Sequence, residues 1–203
     1  LVVAVAGSFA THYAGIEWFD WHRRCGYAVA VLVGFRLAWG FVGPRYSRFS
    51  SFLRGPGAMI QHLRGRQPYP TAGHNPLGAV SVLAFLVSLA MQAGTGLFAN
   101  DEIANAGPFY GWVTQATSNR LTSLHDLNSS ILIALVAAHL VAVAWYDWRR
   151  QLGLVRAFWT GRKSGAEGIR SSRGGLAIVI VIALVVVLAL AIRAAPEASV
   201  SFF

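Results

Sequence analysis

The stretch LHDLNSSILIALVAAHL, residues 124–140, carries His125 and His139 fourteen positions apart, with an almost wholly apolar run between them. Read as a helix, fourteen steps of 100° come to about 1400°, some 40° short of four full turns. Both imidazoles therefore share a face, separated by about 21 Å along the axis. One metal ion cannot bridge that distance. Two large cofactors stacked across a bilayer, one in each leaflet, can use it. The other reading of the same spacing is a pair of polar residues satisfied by neighbouring helices. An ionisable side chain inside a membrane span is a functional candidate by default, and two on one face strengthen the first reading.

Composition supports the membrane premise. Of 203 residues, 55% are hydrophobic and only 12% are charged, about half the charged share of a soluble domain. So few charges cannot solvate a globular surface. The net charge of +9 is then first a topology signal and only second a sign of nucleic-acid affinity. The single cysteine, Cys25, excludes an internal disulfide and a CxxC metal site. With no CxxCH motif, covalent c-type haem attachment is excluded as well. No phosphate-cradling glycine motif, flavin or nicotinamide fingerprint, or nucleophile–base constellation is present.

Five apolar runs are candidate spans, judged against the roughly 20 residues a transmembrane helix needs. They are residues 1–16, 22–42, 76–98, 124–146 and 176–192. The first opens on LVVAVAGSFA with no charged region ahead of it, unlike a signal peptide. It is short for a span, and the expectation is that the chain begins partway through this helix. The second stops at Gly43-Pro44. Only helices span at these lengths.

Charge orients the spans. Arg45, Arg48, Arg54, Arg64 and Arg66 lie between spans two and three, and Arg149, Arg150, Arg156, Arg162, Lys163, Arg170 and Arg173 between spans four and five, so 12 of the 17 basic residues fall on one side. Glu17, Asp20, Asp101, Glu102 and Asp126 fall on the other. The positive-inside rule makes the basic loops cytoplasmic and the links at 17–21 and 99–123 periplasmic, in a bacterial inner membrane. Segregation of the basic residues to loops leaves no case for nucleic-acid binding. Trp18, Trp21, Trp112, Trp145, Trp148 and Trp159 stand near span ends, as interfacial aromatics do.

His22 opens span two on the side where His125 opens span four. Spans two and four run in the same direction, so the two imidazoles match in depth and can be axial ligands of one iron. Gly26, four residues on, lets a flat macrocycle approach the same helix face. Arg36, in GFRLAWG, is fourteen residues after His22, which repeats the His125–His139 interval. It should lie near the depth of His139. A haem propionate suits it as a bidentate anion; snorkelling to the cytoplasmic interface is the alternative. His74, in GHNPLG, opens span three at the cytoplasmic interface, too shallow to ligate beside His139; a propionate, a quinone or a helix-capping role fits it. The partner of His139 is expected on span one, upstream of Leu1. His12 lies at the wrong level for it, and His62 reads as a solvated loop residue. Asp126 has two readings, a proton-handling group or a helix-start acid.

The stretches WHRRCGYAVAVLVGFRLAWGFVGPRYSRFSSFLRGP, GHNPLGA, LHDLNSSILIALVAAH and LVRAFWTGRK, spanning about residues 18–163, resemble the prokaryotic cytochrome b561 family, which merges with the b-type cytochrome subunits of nickel–iron hydrogenases. The resemblance implies an all-α integral membrane protein, a four-helix transmembrane bundle holding two b haems, with one ligand each from spans one and two and two from span four. Carried over, His22 and His125 bind the periplasmic-side haem, and His139 binds the cytoplasmic-side haem together with a span-one His-Trp pair that this sequence lacks. Residues 1–163 are then the bundle, and residues 164–203 a linker, a fifth transmembrane helix and a short periplasmic tail.

Bis-histidine iron has no open position for oxygen or substrate, which leaves electron transfer as the task. The expected partners are membrane lipid, the quinone pool at one end, and a periplasmic c-type cytochrome or hydrogenase-like enzyme at the other. Two further readings stay open: a haem-bearing membrane anchor of a larger oxidoreductase, and a non-redox transporter or scaffold whose histidines line a polar path.

Overall fold

The computed structural model describes residues 1–53, 57, 60, 76–103, 105–150 and 172–196. Among them the chain is all-α, with helices α1 (Val2–Ala14), α2 (Phe19–Val42), α3 (Phe49–Phe52), α4 (Pro76–Gly96), α5 (Gln115–Arg150) and α6 (Gly174–Ala194). Three short 3-10 turns and one isolated bridge between Asn100 and Ala106 complete the description. Four segments are long and apolar enough to cross a bilayer: Ile16–Val42, Leu77–Gly96, Gln115–Arg149 and Gly174–Ala194. The protein is an all-α, multi-pass membrane bundle. In α6 the β-branched run IVIVIALVVV is helical because a lipid-facing backbone must satisfy its polar groups internally. With 13 residues, α1 rises only about 20 Å, short of the roughly 30 Å hydrocarbon core.

The helices sort into two compact units. One contains Leu1–Ala38, Leu86–Ile131 and Gly174–Phe203; the other contains Trp39–Phe85 and Leu132–Arg173. In the first, Val29, Val33, Leu86, Leu89 and Phe109 are buried. Between α1 and α2 the chain turns at Gly15, whose φ of +110° is strained for any residue with a Cβ. A Cβ on Gly34 would lie 3.4 Å from Leu184, so α2 and α6 pack closely there. Otherwise α6 buries none of its residues, as expected of a helix whose partner is lipid.

The start of α5 departs from the sequence expectation. The apolar run begins near residue 124, yet the helix begins at Gln115, and the added turns are polar. They are held by the loop that follows α4. Asn100 donates through Nδ2 to Asn119 at 2.9 Å, its backbone N–H donates to Thr122 Oγ1 at 3.0 Å, and Ser118 Oγ donates to the Phe98 carbonyl at 2.6 Å. Thr114 supplies the helix start, with its Oγ1 accepting from the Thr117 N–H as an N-cap does. His125 is therefore the eleventh residue of α5 and Asp126 the twelfth. Neither opens the helix, and the helix-start reading of Asp126 is corrected: it is an exposed residue in the fourth turn. His22 is likewise the fourth residue of α2, not its first.

In the second unit a Cβ at Gly40 would overlap the ring of Phe49, so only glycine lets the short α3 fold back against the end of α2. Phe49 packs edge-on to Phe41 and Phe52, with centroids 5.4 and 5.9 Å apart. Two arginines close the C-terminus of α2: Arg173 donates to the Val42 carbonyl at 2.7 Å and Arg48 to the Gly43 carbonyl at 2.8 Å. Cations at a helix C-terminus satisfy carbonyls that have no partner within the helix. Trp18, Trp21, Trp112, Trp145 and Trp148 are exposed. Trp159, His62, His74, Arg54, Arg64, Arg66, Arg156, Arg162, Lys163 and Arg170 lie outside the described residues.

Candidate functional site

In the first unit, α1, α2, α4 and α5 converge on a pair of imidazoles. The rings of His22 and His125 stand 6.3 Å apart, centre to centre, with planes at 80°. Each is tethered to a neighbouring helix by a backbone carbonyl. His22 Nδ1 lies 2.8 Å from the Ser8 carbonyl oxygen on α1, and His125 Nδ1 lies 3.0 Å from the Gln92 carbonyl oxygen on α4. A carbonyl can only accept, so each Nδ1 carries a proton, and in the neutral ring Nε2 then keeps the lone pair.

Thr95 adds to the hold on His125. Its Oγ1 is 3.3 Å from His125 Nδ1, while its own proton goes to the Met91 carbonyl at 2.7 Å, so the hydroxyl is a second acceptor. Gly96 completes the seat, because a Cβ there would lie 2.8 Å from His125 Cε1. Below this point, Asn128 and Ser88 join α5 to α4 by buried hydrogen bonds.

The two imidazoles fit the donor set of a haem iron. Sharing one ion, each through a bond of about 2 Å, would hold the ring centres about 6 Å apart, close to the observed separation. The proton on each Nδ1 fixes the tautomer that presents Nε2, and hydrogen bonding there raises the basicity of the ligating nitrogen. A Cβ on Gly26, one turn past His22, would meet nothing within 4 Å, and the same holds for Gly94 on α4. These two helices therefore have open space beside them at the level of the pair.

The chain matches the prokaryotic cytochrome b561 family over residues 2–161. It belongs to that family. A comparison with curated proteins gave no match, and neither did one with solved structures. As a cytochrome b561, the protein is a membrane-embedded b-type cytochrome that binds haem b and transfers electrons. The match starts within α1 and runs past the end of α5, so every histidine described above lies inside it.

The remaining sequence-derived candidates fall elsewhere in the cytochrome. His139, in the second unit, is exposed. Its Nδ1 is 3.3 Å from Ser81 Oγ, and Phe85 stands edge-on to it at 5.5 Å. Arg36 is half-buried on α2 in the first unit. His74 is outside the described residues. His12 stands beside His22 with ring centres 5.9 Å apart. Sequence reasoning missed Ser8 and Gln92, because main-chain acceptors leave no residue-type signal. It also passed over Gly96 and Thr95, whose spacing from His74 or His139 carried no pattern.

Proposed function

We propose that this cytochrome carries two b haems and passes electrons between the quinone pool and a periplasmic redox partner, a c-type cytochrome or a hydrogenase-like enzyme. The observation that carries the reading is the His22–His125 pair, two rings with Nδ1 bound and Nε2 free, at a separation that fits one bis-histidine iron. When bound, haem b supplies a one-electron ferric–ferrous couple.

His22 and His125 would hold the iron of the periplasmic-side haem. Gly26 leaves room for the macrocycle, as the open space beside its Cα suggests. His139 is a ligand of the second haem, and the continuity of α5 through both histidines supports a two-level arrangement. Arg36 pairs with a propionate, and His74 serves a propionate or a quinone. Residues 1–163 form the haem-binding bundle, with residues 164–203 a linker, an added membrane helix and a periplasmic tail. The protein resides in a bacterial inner membrane with its basic loops cytoplasmic. With both His22 and His125 given to one iron, that iron would offer no site to a substrate, and the work left to this chain's residues would be to hold the haem, set its potential and exclude water.

The test is spectroscopic. The full-length protein, reduced by dithionite, should show a b-type α-band, and a pyridine haemochrome assay should give two haems per full-length chain. A quinol should reduce it, and an oxidised c-type cytochrome should reoxidise it. A single haem would sink the two-haem arrangement. Haems that quinol cannot reduce and no partner can oxidise would instead fit a membrane anchor of a larger oxidoreductase.

A further inference from the structure

Three residues past His125, α5 places an amide in an apolar environment. Asn128 is 1% exposed, and all its bonds run to α4. Its Nδ2 donates to the Ser88 carbonyl at 2.9 Å and to Gln92 Oε1 at 2.6 Å, and its Oδ1 accepts from Ser88 Oγ at 2.8 Å. His125 and Asn128 are three apart on α5, and Ser88 and Gln92 four apart on α4, so each pair shares a helix face. The α4 turn that Asn128 clamps ends at Gln92, and the Gln92 carbonyl receives the His125 Nδ1 proton.

A buried amide that bonds only in one alignment resists sliding of the two helices, since a slipped register leaves its donors without acceptors. Buried asparagines fix register between helices in this way in coiled coils. Slippage here by even one residue would carry the Gln92 carbonyl about 1.5 Å along the axis and away from His125 Nδ1. The amide thus holds the acceptor of the ligand's second nitrogen in place.

We propose that Asn128 is a positioning residue for His125: it locks α4 and α5 in the one register that keeps the His125 Nδ1 proton on the Gln92 carbonyl, and so tunes the iron that His125 would hold. The proposal rests on the ligand role given to His125 under the proposed function. Hydrogen bonding at Nδ1 makes Nε2 a stronger donor, which favours ferric iron and lowers the potential. Releasing the register should raise it.

The test uses the full chain with Asn128→Leu, which keeps the apolar volume and removes all three bonds. Potentiometric titration should show the midpoint of one haem raised by about a tenfold change in the reduction equilibrium, about 59 mV for one electron. The other haem should be unchanged and the haem content retained. In the haem-free full chain, 15N-histidine NMR should show His125 protonated at Nδ1 in the parent and as mixed tautomers in the variant. Ser88→Ala, which leaves both Asn128 donors, should move the potential the same way by less; it decides the matter if Asn128→Leu fails to fold. An unshifted potential and unchanged tautomers overturn the proposal. If the tautomer responds while the parent chain binds no haem, the register lock stands and the haem reading falls.

Discussion

His22 with His125, and His139 alone, show two ways of holding an imidazole in a membrane helix. In the pair, each ring is aimed by a main-chain carbonyl of another helix, at 2.8 and 3.0 Å. Among the described residues His139 has one hydrogen-bonding partner, the Ser81 hydroxyl, at a longer 3.3 Å, and it is exposed. A ring tethered by helix backbone has little rotational freedom left to lose when a metal binds, whereas a ring tethered by one rotatable hydroxyl keeps much of it. The rings of the pair are therefore the more firmly held, and the ring of His139 the less.

Removing ligands should break this contrast most visibly. His22→Ala and His125→Ala should each abolish the same single haem, and the double variant should lose no more. His139→Ala should abolish the other. Pyridine haemochrome counts on purified variants check this, and loss of different haems by the first two variants would dissolve the pair.

Next in size is Gly96→Ala. Its Cβ would press on His125 Cε1 at 2.8 Å, so the ring or the helix must shift, which strains the bond from His125 Nδ1 to the Gln92 carbonyl. We expect more than a tenfold loss of haem retention at the paired site, followed by haem transfer to apomyoglobin, with the His139 haem unaffected. Gly26→Ala, whose Cβ meets nothing in the haem-free chain, should leave haem-free helicity and melting unchanged.

Thr95→Val should have a smaller effect. It removes the second acceptor of His125 but not the first, a loss of about 0.5–1.5 kcal/mol for a neutral hydrogen bond. That predicts a two- to tenfold change in haem retention at the pair. Smallest is Ser81→Ala, which removes the tether of His139. Interhelical hydrogen bonds in membranes average about 0.6 kcal/mol, so retention of the second haem should fall about threefold or less. An effect of Ser81→Ala larger than that of Thr95→Val would reverse the contrast between the two sites.

Much of this was readable in the residues. Apolar length alone marks α2, α4 and α6 to within a few residues, since the bilayer fixes how long a span must be. The start of α5 was hidden because QATSNRLTS is polar. It is helical on account of the loop around Asn100, which no local pattern announces; Thr114 as an N-cap was the available hint. His22 and His125 were matched in depth from counting, and they do meet. What counting does not supply is orientation. The acceptors at Ser8 and Gln92 are main-chain atoms, and the glycine that admits His125 is twenty-nine residues upstream. Asn128 was visible as a polar residue in an apolar run, but its partners could be named only once α4 lay alongside.

The carbonyl of Ser8 has a consequence for how this site tolerates change. The serine hydroxyl is turned back to Ala4 at 3.0 Å and takes no part in holding His22. Any residue that keeps the helix there would offer His22 the same acceptor. A scan of side-chain substitutions would therefore find the ligands and miss what aims them at this position. Only a change in the backbone itself, such as an amide-to-ester replacement that weakens the carbonyl as an acceptor, would reveal it.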